Sequence, residues 1–325
     1  MRCLFSGLMA TLALCSPVLA DPLRDAAKEF FAPLPATAPE IPGNPATAEK
    51  LALGRALFFD AGLSASGATS CASCHDPAKG GQDGLATPKL SDGAEGLRNT
   101  STVLNAMLND VHFWDGRDED LAAQADGPMK AGLAMLGTPE AQLAFAKADA
   151  NYAKMFAAAY PGEADPVTPD TMAGALEVYV ASLLTPAPFD AWLAGDDAAL
   201  SDGAKAGLQA FLDTGCNYCH FGPTLGGSGH YPLGLVENPS TEVLSSDESA
   251  LYAIEDSATG DFVFRTAPLR NVALTAPYFH SGKVQDLSVA VDIMAESQLG
   301  RPLDAEDTAR IVEFLQSLTG TAPMP

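Results

Sequence analysis

Two copies of one five-residue pattern constrain this chain more than anything else in it. Cys71-Ala72-Ser73-Cys74-His75 and Cys216-Asn217-Tyr218-Cys219-His220 both read C-x-x-C-H, the attachment signature of a c-type haem. Thiols three residues apart can form thioethers to the two vinyl groups of one porphyrin, and the adjoining imidazole is then held against one face of the iron. A lone copy can also be a redox or zinc C-x-x-C pair that happens to precede a histidine. Two copies in an exported chain, with no cysteine left over, point to haem. Two covalently bound haem c groups are therefore expected, attached through Cys71 and Cys74 and through Cys216 and Cys219. His75 and His220 are the expected proximal iron ligands.

The export reading comes from the N-terminus. Arg2, an apolar run from Leu8 to Leu14, and Pro17-Val18-Leu19-Ala20 before Asp21 have the layout of a secretory signal peptide over residues 1–20. The apolar run is too short to span a bilayer as a mature helix, and the bulky Leu14 before Cys15 fits a lipoprotein poorly. Cleavage after Ala20 removes Cys3 and Cys15, leaving only the four pentad cysteines. A soluble periplasmic protein with no membrane span follows. Loss of Arg2 takes the formal charge from −23 to −24. That argues against nucleic acid, whose binding needs Lys and Arg on phosphates. Two readings of the acidity stay open: solubility, or steering of a basic redox partner.

The remaining chain is long enough for two domains. Six prolines over residues 21–46 exclude a long helix there, and an extended leader on the surface is expected. Thr47 can cap a helix carrying Leu51, Leu53, Leu57 and Phe58, with Gly62 helping to end it. Further helical patterns lie around 138–160 and 169–184, the second with Met172, Leu176, Val180, Leu183 and Leu184 on one face. A last helix is expected over 304–318, capped by Asp304, with Ile311, Phe314, Leu315 and Leu318 inward. Phe262-Val263-Phe264 is the best strand. An internal echo suggests duplication: Gly54, Phe58 and Asp60 recur at equal offsets as Gly207, Phe211 and Asp213. The expected fold is mainly α, with two cytochrome c-like domains over 47–195 and 196–325, each carrying one haem.

Beyond the pentads, four segments carry a specific resemblance. They are Leu53–Phe58 leading into the first pentad, Arg98-Asn99-Thr100 to Asn105, Phe113-Trp114-Asp115-Gly116-Arg117 with Gln124, and Leu269-Arg270-Asn271 through Tyr278-Phe279-His280-Ser281-Gly282. Together with the second pentad they make the chain resemble the bacterial dihaem cytochrome c peroxidases, a family that includes MauG-type enzymes oxidising residues of a partner protein. The resemblance implies separate duties for the haems. The C-terminal one takes electrons from a small donor, a cytochrome c or cupredoxin, and the N-terminal one offers an open face to hydrogen peroxide. It also implies Met294, 14 residues after His280, as distal ligand opposite His220. A thioether there raises the potential of a His-ligated haem. A tyrosine at this position would indicate the MauG type. Trp114 matches the tryptophan placed between the haems, as an electron relay or as an aromatic filling the interface. Asn99, Thr275 and Pro277 match an inter-domain calcium site. Arg98, Arg117 and Arg270 are candidates for haem propionates, with ordinary salt bridges as the competing reading. A homodimer is one assembly to test.

The chain departs from the family twice. Where a glutamate precedes a methionine downstream of the FWDGR segment, this sequence has Ala134-Met135, so the usual base for peroxide cleavage is missing. Gln124, the second distal group, can hydrogen-bond but cannot serve as a useful base. Asp126, Glu140 or a water chain are the alternative proton sources. The loop Lys89–Gly96 also lacks the histidine that often closes the peroxide face. His112 and His230 read as bland hydrogen-bonding residues, His112 partly exposed, and His280 as a residue near the C-terminal haem or domain interface. The function expected is a dihaem peroxidase. A MauG-like partner-oxidising enzyme and a non-enzymatic electron carrier are the alternatives.

Overall fold

Short-range signals set the helix ends. In the computed structural model, which describes residues 21–90, 93–130, 137–239, 243, 254–255 and 262–322, Thr47 Oγ1 accepts from Lys50 N and opens α2 (Ala48–Phe59). Asp304 accepts from Asp307 N and opens the last helix, Ala305–Gln316. Both caps satisfy amides that the first helical turn leaves without a partner. Around them the chain forms α1 (Pro22–Lys28), α3 (Cys71–Cys74), α4 (Leu121–Lys130), α5 (Pro139–Ala148), α6 (Ala150–Ala159), α7 (Pro169–Ala181), α8 (Pro188–Leu193), α9 (Asp202–Thr214), α10 (Leu287–Leu299) and α11 (Ala305–Gln316). The pattern read over 138–160 is broken at Asp149, which closes α5 and caps α6. A small antiparallel sheet in the order β1-β3-β2 joins His230–Pro232 (β1), Ile254–Glu255 (β2) and Phe262–Arg265 (β3). The fold is mainly helical.

Two glycines decide how the helices pair. A Cβ on Gly54 would stand 1.9 Å from the Ala175 carbonyl oxygen, and one on Gly207 would stand 1.9 Å from that of Arg310. In each case the next obstacle is an aromatic Cβ at 2.9 Å, Tyr179 or Phe314. So α2 lies backbone-close on α7, and α9 on α11, in the same manner. The first pair centres a core of Leu53, Leu57, Phe58, Phe156, Met172 and Leu176; the second centres one of Leu208, Phe211, Ile311, Phe314 and Leu318. Val180, Leu183 and Leu184 are inward as expected, but α7 is buried nearly all round rather than on one face. Leu51, by contrast, is exposed.

The leader is not an extended surface segment. Asp21 caps α1 through the amides of Leu23 and Arg24. Ala27 and Phe31 enter the second core beside Phe189 and Trp192 of α8. Arg24 is buried, its guanidinium 4.9 Å from the Trp192 ring centroid and bonded to Asp197. Proline at the first helical turn costs nothing, because its missing amide has no intrahelical partner anyway. Asp190 of α8 then ties three segments together. It accepts from Leu34 N at 2.7 Å, from Ala187 N at 2.7 Å, and from both terminal nitrogens of Arg270 at 2.6 and 2.8 Å.

A second internal echo joins the two halves. Asn105 and Asn271 both adopt left-handed backbone, each is followed by a 3-10 turn, and both donate a side-chain N–H to Thr185 Oγ1 at 2.8 Å. Eight residues on, Phe113 and Phe279 are again left-handed, and three further on so are Gly116 and Gly282. Single bridges His112–Asp118 and Tyr278–Val284 repeat the pattern. Trp114 and His280 therefore hold equivalent places in two copies of one loop. Left-handed phenylalanine is uncommon and costs about 1–3 kcal/mol.

Candidate functional site

The second pentad starts where α9 stops. Gly215, at φ +95°, ends the helix, and Cys216–Tyr218 continues as a 3-10 turn. Residue 215 needs glycine because left-handed backbone is strained for a side chain. Cys216, Cys219 and His220 consequently face a cleft of about 200 Å³. Its other walls include Met294 and Val291 of α10, Leu315 of α11, Phe264 of β3 and Trp114. The lining is overwhelmingly apolar, as a porphyrin face requires.

Local chemistry at both pentads fits haem attachment. His220 Nδ1 donates to the Leu225 carbonyl at 3.2 Å, and His75 Nδ1 donates to that of Ser101 at 3.0 Å. A carbonyl partner on Nδ1 leaves Nε2 as the lone-pair nitrogen, the tautomer an iron ligand needs. Burial lowers both imidazole pKa values, that of His220 to about 4, against opposing pulls from nearby carbonyls. Burial also raises the thiols of Cys71, Cys74 and Cys216 to about 11, and that of Cys219 upward. Neutral thiols of this kind do not suit a reactive dithiol, which needs an electropositive setting and a lowered pKa. Among the described residues no group of three or more His, Cys, Asp or Glu side chains is arranged to hold a metal ion.

Trp114 stands on the wall of the second cleft and reaches back to the first half of the chain. Its indole N–H donates to the Asn99 carbonyl at 2.9 Å, and Asn99 N donates to the His280 carbonyl at 2.7 Å. The Trp114 and His280 rings meet edge to face at 6.2 Å, and His280 stacks on Phe264 at 4.5 Å. His280 is therefore a buried wall residue of the cleft, where the sequence placed it. Around the expected calcium residues, Asn99 Nδ2 donates to Leu85 O at 2.9 Å and Thr275 Oγ1 to Val272 O at 3.1 Å. Gln82 Nε2 lies within 3.3 and 3.5 Å of the carbonyls of Leu274 and Ala276, and the Ala276–Pro277 bond is cis.

Several expectations change. Arg270 is spent on Asp190 and the Pro223 carbonyl, so the salt-bridge reading holds for it. Arg117 Nη1 donates to both oxygens of Asp115 at 2.9 Å, and its guanidinium lies 3.4 Å from the Phe113 ring centroid. His112 is buried, not partly exposed, because the bridge to Asp118 turns it inward beside Arg265. Burial first, then the Arg265 charge, lowers its pKa to about 4. His230 is exposed. Gln124 is half-buried on α4, and Glu140 is exposed in the first turn of α5. Ala134, the side chain of Asp126, the 1–20 segment and Ser91-Asp92 of the 89–96 loop lie outside the described residues.

The sequence reading missed Arg265. This residue is 5% exposed, lines the second cleft, and donates through Nε to the Phe113 carbonyl at 3.0 Å. Its Nη1 is buried without a hydrogen-bond partner, and burial lowers its pKa to about 10, so it stays charged at neutral pH. Nothing in the run Phe262–Arg265 marks it except a cation ending a hydrophobic strand.

Comparison with known proteins gives the family. A family model described as di-haem cytochrome c peroxidase matches residues 48–198. The chain is 45% identical to cytochrome c551 peroxidase of Pseudomonas aeruginosa over 94% of its own length and 88% of the relative's. It is 33% identical to the methylamine utilization protein MauG of Methylorubrum extorquens, over 87% and 82% of the two chains. A crystal structure of a MauG-like protein associated with microbial copper homeostasis superposes with a TM-score of 0.77 at 26% identity, covering 88% of this chain and 95% of that one. Among the described residues no helix is long and apolar enough to cross a membrane. With a relative this similar along nearly its whole length, the chain belongs to the di-haem cytochrome c peroxidase family.

Proposed function

We propose that the protein is a periplasmic peroxidase that reduces hydrogen peroxide to two waters, using two protons and two electrons from a small cytochrome c or cupredoxin. The observation that carries this reading is the second cleft. There a fixed imidazole and a thioether, His220 and Met294, line one apolar cavity, with Trp114 in its wall. Haem c, when bound at each pentad, supplies one-electron storage and the redox chemistry of oxygen–oxygen cleavage. His220 and Met294 would hold the haem iron at the electron-entry site, where a thioether would favour the reduced state. His75 would hold the iron at the other site, where peroxide would react. Trp114, tied to Asn99 and edge-on to His280, lies on the path between them. Gln124 orients peroxide by hydrogen bonding, while protons arrive through water or from Asp126, since Ala134 cannot carry them. The two cytochrome c-like domains are taken as 47–195 and 196–325, and a calcium ion between them would be held by Asn99 and by carbonyls of Thr275 and Pro277.

A MauG-like role in partner maturation is the second reading, supported by the MauG relative and by the loop that lacks a closing histidine. Met294 weighs against it. Ala134 keeps a pure electron carrier as the third. Steady-state assays with reduced cytochrome c or cupredoxin decide among them. Two donor molecules oxidised per peroxide supports the peroxidase. A peroxide-induced change in the Soret band without donor turnover supports the partner-oxidising enzyme, and no response to peroxide leaves the carrier.

A further inference from the structure

We propose that Arg265 binds a propionate of the haem in the second cleft, and so couples that haem's potential to the position of Trp114. The proposal rests on the reading that the cleft holds a haem. Arg265 meets three conditions at once. Its side chain lines the cavity that also exposes Cys216, Cys219, His220 and Met294. It carries a buried Nη1 with no hydrogen-bond partner in the protein, and a buried guanidinium N–H left unmet costs several times what an exposed one does. The neighbouring buried carboxylate, Asp115, acts on Arg265 through its charge, but it makes no hydrogen bond to this nitrogen; its oxygens accept from Arg117 Nη1. An anion is the missing partner, and the cofactor's carboxylates are the anions that the pentads bring into this cleft.

The same residue is fastened to the loop that presents Trp114. Its backbone N–H donates to the Trp114 carbonyl at 2.9 Å and its Nε to the Phe113 carbonyl at 3.0 Å. Phe113 itself is held in left-handed backbone. One residue therefore reaches the cofactor's edge through its guanidinium and holds the carbonyls on either side of Trp114, one through Nε and one through its backbone N–H. A fixed cation beside a haem favours the ferrous state, because reduction removes one unit of positive charge from the iron site. Removing the cation also leaves a propionate anion uncompensated, which acts in the same direction.

Potentiometric titration of the purified holoprotein tests this, with Arg265→Met and Arg265→Lys variants. Arg265→Met should lower the midpoint of the higher-potential haem by about tenfold in its reduction equilibrium, which for one electron is 59 mV. Arg265→Lys should fall by less, since charge is kept and the fork is lost. The lower-potential haem should be unmoved. A midpoint shifted less than twofold in Arg265→Met would overturn the proposal and leave Arg265 as a loop fastener that affects only thermal stability. Should Arg265→Met fail to accumulate, resonance Raman of Arg265→Lys decides: shifted propionate bending modes support the contact, and wild-type modes refute it. A pyridine haemochrome assay separates the underlying reading, because fewer than two haem c groups per wild-type chain would remove the cleft's haem rather than the role of Arg265.

Discussion

His112 shows how packing sets the chemistry of a single residue. Its folded pKa is lowered to about 4 by burial and by the Arg265 charge. Above the unfolded value of about 6.5 both states are neutral and the residue is indifferent to pH. Below it the unfolded chain takes up a proton that the folded one refuses, so stability falls as pH drops from about 6.5 to about 4 and then levels off. The loss amounts to about 3 kcal/mol at most. Thermal melts of wild type and His112→Asn across that window should show a flatter profile in the variant; parallel profiles would show that the imidazole titrates normally. On the proposed alignment of Ala134 with the family's glutamate, Ala134→Glu should speed reaction with peroxide tenfold or more, read by stopped flow, since positioned acid–base groups typically contribute ~10²–10⁴. An unchanged rate would place the missing carboxylate elsewhere.

At the level of elements, the paired helices α2–α7 and α9–α11 make a prediction that local propensity gets backwards. Alanine is a better helix former than glycine by about 1 kcal/mol, so an unpacked helix would gain from Gly54→Ala or Gly207→Ala. Here each new methyl meets a carbonyl oxygen at 1.9 Å. The helices must separate, at a cost of about 1–3 kcal/mol from overpacking. Both variants should lower the melting temperature; a rise in either would mean that the helices there are not in backbone contact. The loops after Asn105 and Asn271 belong to the same scale. Their shared left-handed positions make Trp114 and His280 counterparts, and the hydroxyl of Thr185, held by both asparagines, fixes the two loops relative to each other.

For the whole molecule, the charge of −23 is the property that a partner meets first. If the donor is basic, long-range attraction speeds encounter, and the gain is lost as salt shortens the screening length to about 8 Å at physiological strength. We expect kcat/KM for a basic cytochrome c to fall about fivefold or more between roughly 20 and 300 mM salt, over which the Debye length shrinks about fourfold, with kcat little changed. A flat salt profile would assign the acidity to solubility alone.

Cap residues, the glycine repeats and the two C-x-x-C-H pentads were legible because each is a short-range pattern whose chemistry is complete within a few residues. Thr47, Asp304 and the strand run Phe262–Phe264, which extends one residue further to Arg265, needed no partner elsewhere to be found. The family, too, could be read from motif runs alone. Tertiary structure decided what depends on distant pairs: the docking of α1 onto the second core, the burial of His112, the capture of Arg270 by Asp190, and the meeting of Arg265 with Phe113 across 152 residues. No local pattern encodes such pairs. An arginine looks the same in sequence whether its partner is a carboxylate eighty residues away or a backbone carbonyl 152 residues away.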